Sequence, residues 1–122
     1  MSAQLVRLAL AATLLLGACS AAPAPAPVVA GEGSTFLTAS GTAFDRSTIV
    51  VPANRPSSLV FENRDGAPHN VSISPAGYAP VFIGEVFTGP DSRVYTVPAL
   101  PFGRYTFRCD VHPEMTGTVV SQ

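Results

Sequence analysis

The chain has 122 residues, a formal net charge of −1 and only 12% charged side chains, and all seven of its basic residues are Arg. This balance leaves no basic footprint for nucleic acid. Twelve Pro and ten Gly argue against a helical bundle and for one small, turn-rich β domain.

The N-terminus reads as an address. Arg7 precedes an apolar run from Leu8 to Leu16, too short to span a bilayer, which takes about 20 apolar residues, but suited to a secretory signal peptide over residues 1–18. The run ends in Leu16-Gly17-Ala18-Cys19, which resembles the bacterial lipobox and implies lipidation at Cys19. Ordinary signal cleavage near Ala18, Ala21 or Ala22 is the alternative. Residues 19–34 then form an Ala/Pro-rich stretch that favours extended conformations and serves as a tether of roughly 30 to 45 Å. The domain proper is expected over residues 35–122.

From Phe36 onward, short apolar runs alternate with turn residues and no stretch keeps a helical period. Strands are expected at 36–39, 47–51, 57–62, 70–74, 82–86, 93–97, 104–109 and 117–121, with turn-dense segments between them. Seven or eight strands at this spacing predict an all-β fold, a Greek-key antiparallel β-sandwich. The segment 75–90 is open to a short helix or an irregular excursion. Along 69–74 the apolar residues Val71 and Ile73 alternate with polar Asn70, Ser72 and Ser74, which places His69 on the inward face. By the same alternation Tyr105, Phe107 and Cys109 face inward, and Thr106 and Arg108 face out.

The segment Cys109-Asp110-Val111-His112-Pro113-Glu114-Met115 holds three possible metal donors in seven residues. Pro113 and the following Thr116-Gly117 favour a compact loop over a continued strand. With His69 the set becomes two imidazoles, one thiolate and one thioether. A trigonal Cys/His/His set with a weak axial Met is that of blue-copper electron-transfer sites. Taken singly, a buried His, Cys or Met is ordinarily core packing; the convergence of four in this spacing is what points to a metal. A structural zinc prefers a stronger fourth ligand than a thioether.

The segments Pro68-His69-Asn70-Val71 and Cys109 to Gly117, with Phe61 to Asp65 ahead of the first, resemble the ligand motifs of the cupredoxins, and the ligand loop is most similar to the amicyanin and plastocyanin branch. The resemblance implies one copper cycling between Cu(I) and Cu(II), with His69, Cys109, His112 and Met115 as ligands. It implies that Asn70 braces the ligand loop, and that His112 presents a ring edge in an apolar patch for which Ala67, Pro68, Pro101 and Pro113 are candidates. The function expected is single-electron transfer by a non-enzymatic monomer, lipid-anchored at the periplasm or cell surface (the outer membrane in a Gram-negative cell) and exchanging electrons with envelope redox proteins. A copper-trafficking or resistance protein is the alternative, though only two Met occur and one is the initiator. Both His of the chain are consumed by one site, which argues against an enzyme needing a second copper. Asp65, Asp110 and Glu114 are expected as a solvated acidic rim.

Overall fold

The computed structural model describes residues 33–122. The signal peptide, Cys19 and nearly all of the tether lie outside the described residues. Eleven strands follow in order: β1 (Thr35–Ser40), β2 (Ala43–Phe44), β3 (Thr48–Val51), β4 (Ser57–Asn63), β5 (Pro68–His69), β6 (Ser72–Pro75), β7 (Phe82–Ile83), β8 (Phe87–Thr88), β9 (Asp91–Val97), β10 (Gly103–Arg108) and β11 (Thr116–Ser121). Two main sheets, β2-β1-β4-β9 and β3-β11-β10-β6-β7, stack as a sandwich, and β5 and β8 form a small third pair.

The expected all-β sandwich is the observed one. The sheets are mixed, however: β1 runs parallel to β4, with Thr35 opposite Leu59 and Ala39 opposite Asn63, and β3 runs parallel to β11. The extra strands are short two-residue pieces. In the segment 75–90 no helix forms. The expected strand at 82–86 stops at Ile83, and β8 pairs instead with β5, setting Phe87 opposite His69.

The core follows from strand alternation. Leu37 and Ala39 of β1, Leu59 and Phe61 of β4, Tyr95 and Val97 of β9 face Ile49, Ile73, Phe107 and Val119 of the other sheet, all buried. Phe61 sits at its centre, edge-on to Phe44 and Phe87 at ring separations of 6.2 and 5.7 Å. Burying a ring of this size contributes on the order of 2 kcal/mol or more. The β1–β2 turn carries positive φ at both Gly41 (59°) and Thr42 (57°), the arrangement that matches the twist of a two-residue hairpin.

The strand directions define two poles. β4 ends at Asn63 and β10 at Arg108, and both lead to the upper pole, where His69 and Cys109 meet. At the lower pole the 52–57 turn and the 98–102 loop join through a bridge between Ala53 and Leu100. Pro101 therefore lies at the pole opposite His112, which removes it from the expected patch around that ring. Ala67, Pro68 and Pro113 do lie in the segments that carry the donors.

Candidate metal centre

His69 closes β5, and its ring is wholly buried. Cys109 is the first residue past β10, so the inward parity of Tyr105 and Phe107 carries its thiol into the core, also fully buried. The inward placement of His69, Val71 and Ile73 likewise agrees with the alternation. The outward placement of Asn70 and Ser72 does not: both have no exposed surface. The strand breaks at Asn70 and Val71, and the ligand loop folds its Asp110 carboxylate down onto Asn70 and Ser72. Polar side chains predicted to face water are buried against a carboxylate instead.

The loop from Cys109 to Met115 is closed by its own backbone. The Cys109 N–H donates to the Met115 carbonyl at 3.0 Å and the Met115 N–H to the His112 carbonyl at 2.9 Å. This turn brings His112 back over Cys109. The Cys109 Sγ lies 3.7 Å from His69 Nδ1 and 3.8 Å from His112 Nδ1, and the two Nδ1 atoms are 3.2 Å apart. A point equidistant from these three atoms is about 2.1 Å from each, the length of a metal–imidazole bond and slightly under a metal–thiolate bond. Among the described residues this is the one cluster of His, Cys and carboxylate groups with metal-binding proximity. Met115 belongs to the same buried cluster as Cys109. The donor set therefore fits a soft-to-intermediate transition metal such as copper.

Three side chains hold this arrangement. Asn70 spans the two halves of the site: its Nδ2 donates to Asp110 Oδ2 at 2.9 Å and to the Gly84 carbonyl at 3.1 Å, and its Oδ1 accepts the Asp110 N–H at 2.8 Å. The Asn70 side chain thus ties the ligand loop to the segment between β5 and β6. Burial raises the Asp110 carboxyl, but the bonds from Asn70, Ser72 and Arg108 outweigh it and the net shift is downward.

Asp65 is the second support. Its Oδ2 accepts from His69 Nε2 at 2.9 Å, while Oδ1 accepts the Gly41 N–H of the β1–β2 turn at 2.8 Å. The Gly41 bond is the main cause that keeps Asp65 below its ordinary range, against burial, with Thr42 and His69 adding to it. A proton on Nε2 leaves the Nδ1 lone pair facing Cys109, which is how a carboxylate sets the tautomer of a ligating imidazole. Asp65 and Asp110 are therefore structural parts of the site rather than the solvated rim expected; Glu114 is exposed as expected.

Asn63 is the third, and sequence reading gave it no role. Fully buried at the end of β4, it donates to the carbonyls of Ala67 and Phe87, both at 2.9 Å, and its Oδ1 accepts the Asp65 N–H at 2.9 Å. One side chain thus closes the loop 63–67 and ties it to β8. Gly89 packs beside it so tightly that a Cβ there would lie 2.2 Å from the Asn63 carbonyl oxygen. Its signal in the sequence was an Asn at the inward end of an apolar strand, where a buried amide needs three partners.

His112 differs from the other donors in being only half-buried, with exposed Val111 and Pro113 on either side. The site therefore has a closed side at Cys109 and an open side at His112.

A two-sheet β-sandwich with a Cys/His/His cluster at one pole is the architecture of a small metalloprotein. The chain belongs to the family of cupredoxin-like domains, whose pattern matches residues 6–121. A comparison with curated proteins returns no match. Among solved structures it is similar to dithionite-reduced auracyanin from the photosynthetic bacterium Roseiflexus castenholzii, at 18% identity and a TM-score of 0.64 over 77% of this chain and 99% of that one. Auracyanin A of Chloroflexus aurantiacus, a blue copper protein, is similar at 18% identity and a TM-score of 0.63, covering 73% and 98%. Amicyanin from Paracoccus versutus matches at 22% identity and a TM-score of 0.58, covering 80% and 86%. At these identities the likeness concerns the fold.

Proposed function

We propose that the chain is a one-electron carrier that holds a single copper ion on His69, Cys109 and His112, with Met115 as a weak axial donor. The observation that carries this reading is the triangle of Sγ and two Nδ1 atoms around a fully buried thiol. Copper, when bound, supplies a couple between Cu(I) and Cu(II). The chain's own residues supply rigidity: Asp65 fixes the His69 ring, Asn70 and Asp110 fix the loop, and burial keeps water from the sulfur. Donors held this way change little when an electron arrives, which keeps the transfer barrier low. The half-exposed His112 ring, between the exposed Val111 and Pro113, is the route by which electrons pass to and from envelope redox proteins. With both His of the chain in one site, no imidazole is left for a catalytic second copper, which supports a carrier rather than an enzyme. Buried donors suit retention of the ion better than its delivery, which disfavours a trafficking role. The lipobox-like Cys19 supports anchoring of the mature monomer at the periplasmic or outer face of the cell envelope.

The test is an absorption spectrum of the copper-loaded protein during a redox titration. An intense visible band in the Cu(II) state that bleaches on reduction is expected; a colourless Cu(II) protein rules the reading out. A further expectation concerns Asp65. Removing its charge from the far side of the His69 ring disfavours Cu(II), so Asp65→Asn raises the reduction potential. Losing the orienting bond weakens copper binding by roughly 10- to 100-fold. Voltammetry and competition with a chelator read the two effects separately.

A further inference from the structure

The pole opposite the donors has a different charge and surface. The chain enters the fold there: Gly33 leads into β1, whose first residue, Thr35, lies opposite Leu59 near the start of β4. The 52–57 turn and the 98–102 loop close this pole, joined by the Ala53–Leu100 bridge and by the Asn54 N–H, which donates to the Leu100 carbonyl at 2.8 Å. Phe102 projects from the second loop with 72% of its surface exposed. Arg55 in the turn and Arg104, beside Phe102 at the start of β10, are exposed too.

The other described arginines, Arg46, Arg64, Arg93 and Arg108, are each bound to a carboxylate. Among the described residues, Arg55 and Arg104 are in no ion pair. The described side-chain carboxylates all belong to the opposite half. Asp65, Asp110 and Glu114 stand around the donors. Glu62 and Asp91 lie at the Asn63 end of β4 and β9, Asp45 binds Thr38 opposite Glu62, and Glu85 binds Arg93 opposite Phe61. The domain is therefore an electrostatic dipole, with its unneutralised cations and an exposed aromatic ring at the pole where the N-terminal segment joins.

We propose that this lower pole docks the domain on the anionic surface of a lipid bilayer, with Phe102 entering the headgroup region, Arg55 and Arg104 paired with lipid phosphates, and His112 facing away from the membrane. The inference rests on the lipid-anchor reading for what holds the chain at a bilayer, and the tether supports it: from Cys19 to Gly33 the chain spans at most about 50 Å, and it joins the fold at this pole. An anionic surface attracts the two free guanidinium groups and repels the acidic pole, so both ends of the dipole favour one orientation. Two unneutralised arginines and an exposed aromatic ring at one pole combine the electrostatic attraction and the apolar contact by which proteins bind at the interface plane.

The chain has no Trp, so a single introduced one reports its own depth. The full chain carrying Phe102→Trp is reconstituted with vesicles of phosphatidylcholine, alone or mixed with phosphatidylglycerol, containing lipids brominated in the acyl chains. Val86→Trp, next to Phe87 in the half that carries His69, is the control. We expect bromolipid quenching of Phe102→Trp only in the mixed vesicles and none of Val86→Trp in either. Adding Arg55→Gln or Arg104→Gln lowers the ratio of docked to undocked protein about fivefold each. Absence of quenching at position 102, or equal quenching at 86, overturns the proposal; an anionic protein as the true partner gives that result. A mass spectrum of the mature N-terminus reads the anchor separately. Acylated Cys19 without quenching keeps the anchor and removes the docking, whereas unmodified Cys19 with phosphatidylglycerol-dependent quenching does the reverse.

Discussion

Cys109→Ser will abolish the intense visible absorption of the copper-loaded protein while leaving its fold intact. The Cys109 sulfur is the one strong soft donor among the described residues and is wholly buried, so no neighbouring thiol can replace it. A serine oxygen in the same place is a poor partner for copper in either oxidation state. The loss of affinity should exceed the roughly 10- to 100-fold that removal of a supporting residue costs. Folding is affected far less. The serine hydroxyl finds His69 and His112 nitrogens already pointed at it, which limits the cost of burying it to the lower part of about 1–3 kcal/mol. The melting temperature of the metal-free variant should accordingly fall by no more than about 10 °C. Circular dichroism and chelator competition separate the two effects. A variant that folds and keeps the band would remove Cys109 from the site.

The largest expected loss of stability from a polar substitution is at Asn63. Asn63→Ala deletes two donated bonds and one accepted bond and leaves the Ala67 and Phe87 carbonyls and the Asp65 N–H without that partner. An orphaned buried polar group costs about 1–3 kcal/mol, and solvent can reach the Ala67 side of the loop. The sum is about 3 kcal/mol, a drop in melting temperature of roughly 12–24 °C. The same substitution frees the segment that carries Asp65, so the His69 ring loses its orientation and copper binding weakens together with the fold. Thermal melts with and without copper measure both. If the loss is under about 1 kcal/mol, water has replaced the amide and Asn63 is not the clamp of this loop.

The inward faces of the donors were legible because strand alternation is local: Val71 and Ile73 expose the parity of His69, and Phe107 that of Cys109. The seven-residue spacing of the ligand loop was equally legible. What could not be read were the supports. Asp65 serves His69 from four residues away, but the hairpin turn it also binds is 24 residues back. Asn63 acts on the Phe87 carbonyl 24 residues on. Bonds from a side chain to a distant backbone group leave no periodic trace. Asp110 shows the same limit from the other side, since nothing in its neighbours says that Asn70 and Ser72, 40 and 38 residues earlier, receive it. The misplacement of Pro101 has a different cause, since it was legible: Pro101 precedes β10 and Cys109 follows it, and a strand rising about 3.3 Å per residue sets the two at opposite ends.

His69 and Cys109 are 40 residues apart in the chain, and the last strand, β11, leaves the ligand loop only at Thr116. A growing or partly folded polypeptide therefore lacks the full copper site: Cys109, His112 and Met115 lie within seven residues, but His69 joins them only when both sheets have closed. The complete donor set exists only in the finished domain, so the ion acts there as a latch. Every tenfold rise in free copper above its dissociation constant then adds at most about 1.4 kcal/mol to the folded state, less whatever the 109–115 segment binds when unfolded. The metal thus secures the domain after folding rather than directing it.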